Sequence, residues 1–290
     1  MSARSAIMRF VAQEDLNFLL TNRIPRLALT RFMGWFSKLE HPPVRAVSIA
    51  LWRFFCDVDL TDSPEMRFRS LHEAFTRPLR PGVRHIEADP AVLTSPCDAI
   101  VGAFGRVDGG QAYQIKGFPY SLEDLLGDAA TAREFADGWF VTLRLTAGMY
   151  HRFHAPHDLC VDEVRYISGD TWNVNPIALK RIERLFCKNE RAPITVRLER
   201  SGLRVVLVPV AAVLVASIQL PFLGERRNVR AAGERRMRCD ARFLKGEEMG
   251  WFEHGSTILV IAPPECRPAA LREGQTIRMG EALFWTEPEL

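Results

Sequence analysis

Apolar residues recur with two different periods along this chain, and the change between them divides it near residue 90. In the first part, Ile24, Leu27, Ala28, Phe32, Trp35, Phe36 and Leu39 follow one another at steps mostly of three and four. Arg23, Arg26, Thr30 and Ser37 mark a more polar side. This spacing predicts an amphipathic helix over 24–39, with Pro25 near its start, where a missing N–H costs nothing. After His41-Pro42-Pro43, the positions Val44, Val47, Leu51, Phe54 and Val58 predict a second helix over 44–58. Ser70-Leu71-His72-Glu73 has the spacing of a capping box and predicts a short helix. Arg77-Pro78-Leu79-Arg80-Pro81-Gly82 ends it in an extended turn.

From about residue 91 the pattern shortens to strand-like runs. They fall at 100–107, 140–145, 163–167, 194–198, 203–208, 213–218 and 257–261. Ser121 with Asp124 three residues on predicts a helix ending near Gly127, and 176–186 predicts another. The expected class is α+β, with an antiparallel-rich β core and an N-terminal helical region. The expected division is a helical region over 1–60, a connector over 61–90 and a core over 91–290.

The apolar stretch 205–223 is interrupted by Pro209, Ser217, Gln219 and Pro221, which suits two buried strands better than a spanning helix. At 47% hydrophobic and 25% charged the chain has the profile of an ordinary folded protein, and its net charge of +3 gives no sign of nucleic-acid binding. The charge is unevenly placed. Residues 1–55 hold eight Arg and Lys against three Asp and Glu, an excess of five positive charges interleaved with aromatic residues. Such helices suit a bilayer surface carrying anionic lipids, or packing on the protein's own core. The six cysteines show no CxxC spacing and read as reduced, in a cytosol-facing protein. No apolar run followed by a small-residue cleavage site is evident at the N-terminus.

Chemistry gathers in three short segments. Ser256 lies in His254-Gly255-Ser256-Thr257, and His151 and His154 lie in Tyr150-His151-Arg152-Phe153-His154-Ala155-Pro156. Asp98 follows a proline in Ser95-Pro96-Cys97-Asp98-Ala99. A serine, a histidine and an aspartate can form a proton relay, whose definition is geometry and not chain order. The Gly-x-Ser-x-Gly elbow of the α/β-hydrolases is absent. His157 and Cys160 stand near the two histidines without a recognised metal-ligand pattern, so no metal site is expected. Each residue alone has a plainer reading: Asp98 as a turn residue, a structural histidine, Gly-Ser-Thr as a turn feeding a strand.

These segments together resemble the phosphatidylserine decarboxylases, enzymes that make a pyruvoyl cofactor from an internal serine. The likeness continues through Phe75-Thr76-Arg77-Pro78-Leu79-Arg80-Pro81-Gly82, Lys116-Gly117, Tyr120-Ser121-Leu122, Gly169-Asp170, Val174-Asn175 and Asn189-Glu190-Arg191. It ends in Lys245-Gly246-Glu247-Glu248-Met249-Gly250 before Gly255-Ser256-Thr257. The N-terminal region resembles the bacterial, membrane-associated form. His254 stands where bacterial members usually have leucine, and Cys97 where alanine is common.

The resemblance implies a self-cleaving proenzyme. Asp98 would hold His154, which takes the proton from Ser256. The Ser256 oxygen would attack the Gly255 carbonyl, giving an ester. Loss of the α-hydrogen would expel the Gly255 carboxylate, and hydrolysis of the resulting dehydroalanine would leave pyruvoyl and ammonia. The products would be a β chain of residues 1–255 and an α chain of residues 256–290, which stay associated. The pyruvoyl at 256 would form a Schiff base with the amine of phosphatidylserine, and His151 would supply the acid for turnover to phosphatidylethanolamine. Arg152 is open between a phosphate contact and packing. A membrane surface with anionic lipids, the cytoplasmic face of the inner membrane and a homodimer are implied as well. Two rival readings use the same residues: a serine hydrolase built on Asp98, His154 and Ser256, and a membrane-binding protein that does not mature.

Overall fold

The computed structural model of the chain describes residues 13–22, 25–65, 67–115, 118–213, 218–232, 235–253 and 256–286. Expectations placed on Arg23, Ile24, Lys116, Gly117, His254 and Gly255 lie outside the described residues.

Among the described residues the first four helices are α1 (Glu14–Asn22), α2 (Arg26–Phe36), α3 (Pro42–Phe55) and α4 (Leu71–Phe75). α3 begins on its two prolines, earlier than the apolar pattern alone predicts, because a proline fits the first turn of a helix. It also ends earlier, at Cys56, whose backbone is extended. α4 carries the expected cap. The Ser70 hydroxyl accepts from the Glu73 N–H at 3.1 Å, and the Glu73 carboxylate reaches back to the Arg69 N–H. α2 and α3 sink little of their apolar surface into the protein. Phe32 is 50% exposed, Trp35 61%, Val47 59% and Leu51 53%.

The core is a mixed α+β structure dominated by antiparallel strands, in which a nine-stranded sheet is the largest element among the described residues. Its strands include β1 (Ala99–Arg106), β2 (Trp139–Leu145), β4 (Leu159–Arg165), β5 (Ile194–Leu198), β6 (Arg204–Ala211) and β8 (Ser256–Ala262). A smaller sheet contains β3 (Arg152–His154) and β7 (Glu248–Phe252), with 218–219 on its far side. β8 lies inside the large sheet, between β6 and β2, and all seven of its residues are buried. A run of β-branched and apolar residues buried on both faces is what a central strand requires.

Register places the beginning of β8 at one end of that sheet. Ser256 stands opposite Leu145, the last residue of β2, and opposite Ala211, the last of β6. In the small sheet, His154 pairs with Glu248 and Phe153 with Gly250. A Cβ at Gly250 would collide with the Gln219 carbonyl and the Phe153 ring, so the absence of a side chain lets these strands approach.

Two expected elements differ. The stretch 176–186 is two short helices, Pro176–Leu179 and Leu185–Lys188, separated at Arg184, whose φ of 54° is left-handed. The strand expected at 213–218 falls mostly outside the described residues, and Val213 itself is in a turn.

Candidate active site

Ser256 is fully buried, and among the described residues its Oγ has no hydrogen-bond partner. The same holds for the Oγ1 of Thr257. A buried hydroxyl left unpaired costs about 1–3 kcal/mol. Two in succession at the mouth of a strand otherwise built of Ile, Leu, Val and Ala mark a position not optimised for stability.

The two histidines stand on either side of Arg152 at β3. His151 is buried, its Nδ1 is 2.8 Å from the Met149 carbonyl, and its ring lies 4.0 Å from that of Phe75 on α4. Phe75 in turn meets Trp52 of α3 at 5.8 Å, so an aromatic chain links the N-terminal helices to His151. The His151 carbonyl accepts from the Phe252 N–H at 3.0 Å, which ties the histidine segment to the end of β7, four residues before Ser256.

His154 is held on both ring nitrogens. Nδ1 is 2.9 Å from the Gly246 carbonyl and Nε2 is 2.9 Å from the Tyr150 hydroxyl. A carbonyl can only accept, so the neutral ring carries its proton on Nδ1 and Nε2 accepts from Tyr150. Burial lowers the pKa of His154, opposed by the Gly246 hydrogen bond and the fields of Glu248 and Asp98. Burial likewise pushes the Tyr150 phenol up, so it stays protonated as a donor.

Asp98 is directed elsewhere. Its carboxylate accepts from Arg84 at 2.6 and 3.1 Å and from the Met279 N–H at 2.9 Å. Arg84 also bonds Asp62 at 2.7 Å. Burial works against the Arg84 charge, but the two carboxylates outweigh it and push its pKa up. Asp98 reaches His154 through its field, without a hydrogen bond. Asp98, His154 and Ser256 are therefore not joined by direct hydrogen bonds in this structure. Arg152 is spent on Glu248 at 2.8 and 2.9 Å and on the Thr76 carbonyl at 2.8 Å.

Ser256 also lines a cavity of about 920 Å³ beneath α2 and α3. Its walls include Phe36, Leu51, Trp52 and Phe55 from the helices and Leu145, Val174 and Ala212 from the core. One end of the sheet thus opens into an apolar chamber roofed by the N-terminal helices. Lys38, just beyond α2, pairs with buried Glu253 at 3.2 Å, fastening the roof close to Ser256 in sequence. Among the described residues no group of three or more His, Cys, Asp or Glu is arranged to hold a metal ion.

The family model described as phosphatidylserine decarboxylase matches residues 71–284, most of this chain. The phosphatidylserine decarboxylase proenzyme of Chromobacterium violaceum is 36% identical over 280 residues, covering 93% of this chain and 99% of the relative. That of Anaeromyxobacter sp. (strain K) is 36% identical over 272 residues, covering 90% and 94%. That of Vibrio cholerae is 36% identical over 273 residues, covering 89% and 94%. The chain belongs to the phosphatidylserine decarboxylase family.

Within this phosphatidylserine decarboxylase fold, sequence reasoning picked out the segments but not the partners. Gly246 and Tyr150 fix the His154 tautomer, and both lie inside motifs already noted, though nothing in the sequence shows that they meet. Arg84 and Asp62 stand outside any motif. Their roles come only from a carboxylate and a guanidinium that folding brings to Asp98.

Proposed function

We propose that this chain is a self-processing enzyme that decarboxylates phosphatidylserine to phosphatidylethanolamine, with Ser256 as the source of a pyruvoyl group. The observation that carries the reading is a buried, unpartnered serine hydroxyl at the wall of an apolar cavity, in a chain of this family. Family membership supplies the chemistry, and the cavity supplies a place for an acyl chain.

The residue at 256 suits the conversion. The orphaned hydroxyl is lost, its oxygen leaving on the Gly255 carboxylate, so the side chain becomes a methyl group and the α-carbon a ketone in place of its amine. The pyruvoyl group supplies an electron sink for the carbanion that loss of CO2 would otherwise strand. In the cleavage, His154 takes the Ser256 proton on Nε2, once the Tyr150 hydroxyl has turned away from that nitrogen. The Gly246 carbonyl holds Nδ1–H, and the fields of Glu248 and Asp98 favour the imidazolium that forms. In turnover, the Met149 carbonyl accepts Nδ1–H of His151, and the ring, once protonated on Nε2 as well, delivers that second proton to the substrate α-carbon. Cleavage between Gly255 and Ser256 divides the chain into residues 1–255 and 256–290. The division into a helical region over 1–60, a connector over 61–90 and a catalytic core over 91–290 belongs to the same proposal.

We infer further that α2 and α3 seat the enzyme on a membrane surface carrying anionic lipid. Phe32 and Trp35, outside the cavity lining, are exposed together with Arg31 and Arg53. Aromatic and basic side chains on helices above a lipid-sized cavity suit an interfacial position. Among the described residues no helix is long and apolar enough to cross a membrane. In this reading the enzyme lies on the cytoplasmic face of the inner membrane and draws its substrate upward past the roof helices.

The test is the intact mass of the purified protein under denaturing conditions, together with release of CO2 from phosphatidylserine in mixed micelles. Fragments of 1–255 and 256–290, the smaller bearing a ketone in place of its amine, with CO2 release, support the reading. A single uncleaved mass without CO2 release sinks it.

A further inference from the structure

Among the described residues that line the large cavity, Arg144 is the one charged side chain. It belongs to β2, in register with Thr257, the residue after Ser256. The other described walls are apolar or carry uncharged polar groups, and apart from Ser256 some of these are already in use. Asn175, for example, caps the helix Pro176–Leu179 and bonds Asn17. Among the described residues the half-buried side chain of Arg144 has no hydrogen-bond or ion-pair partner, whereas those of Arg77, Arg84 and Arg152 are engaged. Arg77 donates to the Ala74 and Asp59 carbonyls, Arg84 holds Asp62 and Asp98, and Arg152 holds Glu248. Burial lowers the Arg144 pKa, and no nearby carboxylate opposes it.

A half-buried guanidinium in an apolar wall, without a counterion among the described residues, is poorly compensated, and an anionic ligand would supply the missing charge. We propose that Arg144 is the anchor for the phosphodiester anion of the lipid substrate, holding the headgroup beside residue 256 while the acyl chains occupy the rest of the cavity. This rests on the function proposed above and adds to it the residue that selects for the headgroup. The chemistry favours the phosphate over the serine carboxylate as the partner. A contact to the carboxylate would stabilise the ground state that must lose its charge as CO2, and so would oppose the reaction. A contact to the phosphate persists unchanged from substrate to product. The planar fork of arginine also matches two phosphate oxygens at once.

The experiment compares Arg144→Gln and Arg144→Lys with the unaltered residue, in two forms of the protein. In the uncleaved Ser256→Ala chain, calorimetry measures binding of dihexanoyl phosphatidylserine, dihexanoyl phosphatidylethanolamine and inorganic phosphate. In the self-cleaving chain, kcat and KM are measured for dihexanoyl phosphatidylserine and for O-hexanoylserine, an ester through the serine hydroxyl that keeps the free amine and carboxylate but lacks the phosphate. Thermal unfolding and the extent of self-cleavage report whether each variant folds.

Arg144→Gln is expected to weaken binding of both lipids by about tenfold or more, the scale of a hydrogen bond to a charged group. KM for the phospholipid should rise to match, with the ester unaffected and Arg144→Lys falling between. Equal losses for phospholipid and ester, or no loss, would overturn the proposal. Loss of binding for phosphatidylserine alone would reassign the contact to the carboxylate and overturn it too. Inorganic phosphate that binds as tightly as the lipids would make this a general anion site and reject a headgroup anchor. If the unaltered chain neither cleaves nor releases CO2, the function fails, while the binding arm still decides the role of Arg144.

Discussion

Ser256, His151 and His154 each carry an expectation that a single substitution tests. Ser256→Ala should remain one chain of 290 residues, read by intact mass, because no other hydroxyl stands at that bond. His151→Ala should self-cleave normally yet lose about 10²- to 10⁴-fold in kcat, the usual contribution of a general acid. A loss of cleavage instead would show that the two histidines do not divide the work as proposed. His154 sets the pH dependence of maturation. Burial lowers its pKa below the ordinary value of about 6.5, so the neutral base survives to lower pH than an exposed histidine would. The acid limb of the cleavage rate should lie below about pH 6.5, measured from cleavage half-times. Glu248→Gln should move that limb lower still, since the Glu248 carboxylate raises the His154 pKa. The same shift weakens the fold on acidification. As pH falls through the unfolded pKa the denatured chain binds a proton that the native chain refuses, so stability drops until the folded pKa is passed.

Helices α2 and α3 have two faces with two duties. One roofs the cavity through Phe36, Leu51 and Trp52, and the other presents Phe32 and Trp35 outward. Deleting the whole N-terminal region would confuse these duties, because it would also unroof the cavity. The double change Phe32→Ser, Trp35→Ser touches only residues outside the cavity lining. It should reduce flotation with anionic vesicles severalfold while leaving turnover of a water-soluble short-chain phosphatidylserine unchanged. Unchanged flotation would remove these side chains from the membrane contact. The periodicity of the sequence located both helices but not this division, since a 3.6-residue repeat reports an apolar stripe and not what covers it.

At the scale of the molecule, the bond between residues 255 and 256 leads directly into a strand held by β6 on one side and β2 on the other. Cutting there leaves both ladders of β8 intact. The 1–255 and 256–290 fragments should therefore stay together on size-exclusion chromatography without denaturant and separate only when unfolded. Free dissociation would contradict the place of β8 in the sheet. The sequence by itself determined the α+β class, the helical opening, the longer strands of the large sheet and the segments that hold Ser256, His151, His154 and Asp98. These are local signals: periodicity, caps and short motifs are written in consecutive residues. The tertiary structure alone decided which groups meet. It gave the His154 proton to the Gly246 carbonyl, 92 residues away, and the Asp98 carboxylate to Arg84. It also placed in one apolar cavity an arginine and a serine whose side chains have no hydrogen-bond partner among the described residues. Hydrogen bonds and burial join residues distant in sequence, and no local pattern encodes the partner that folding brings.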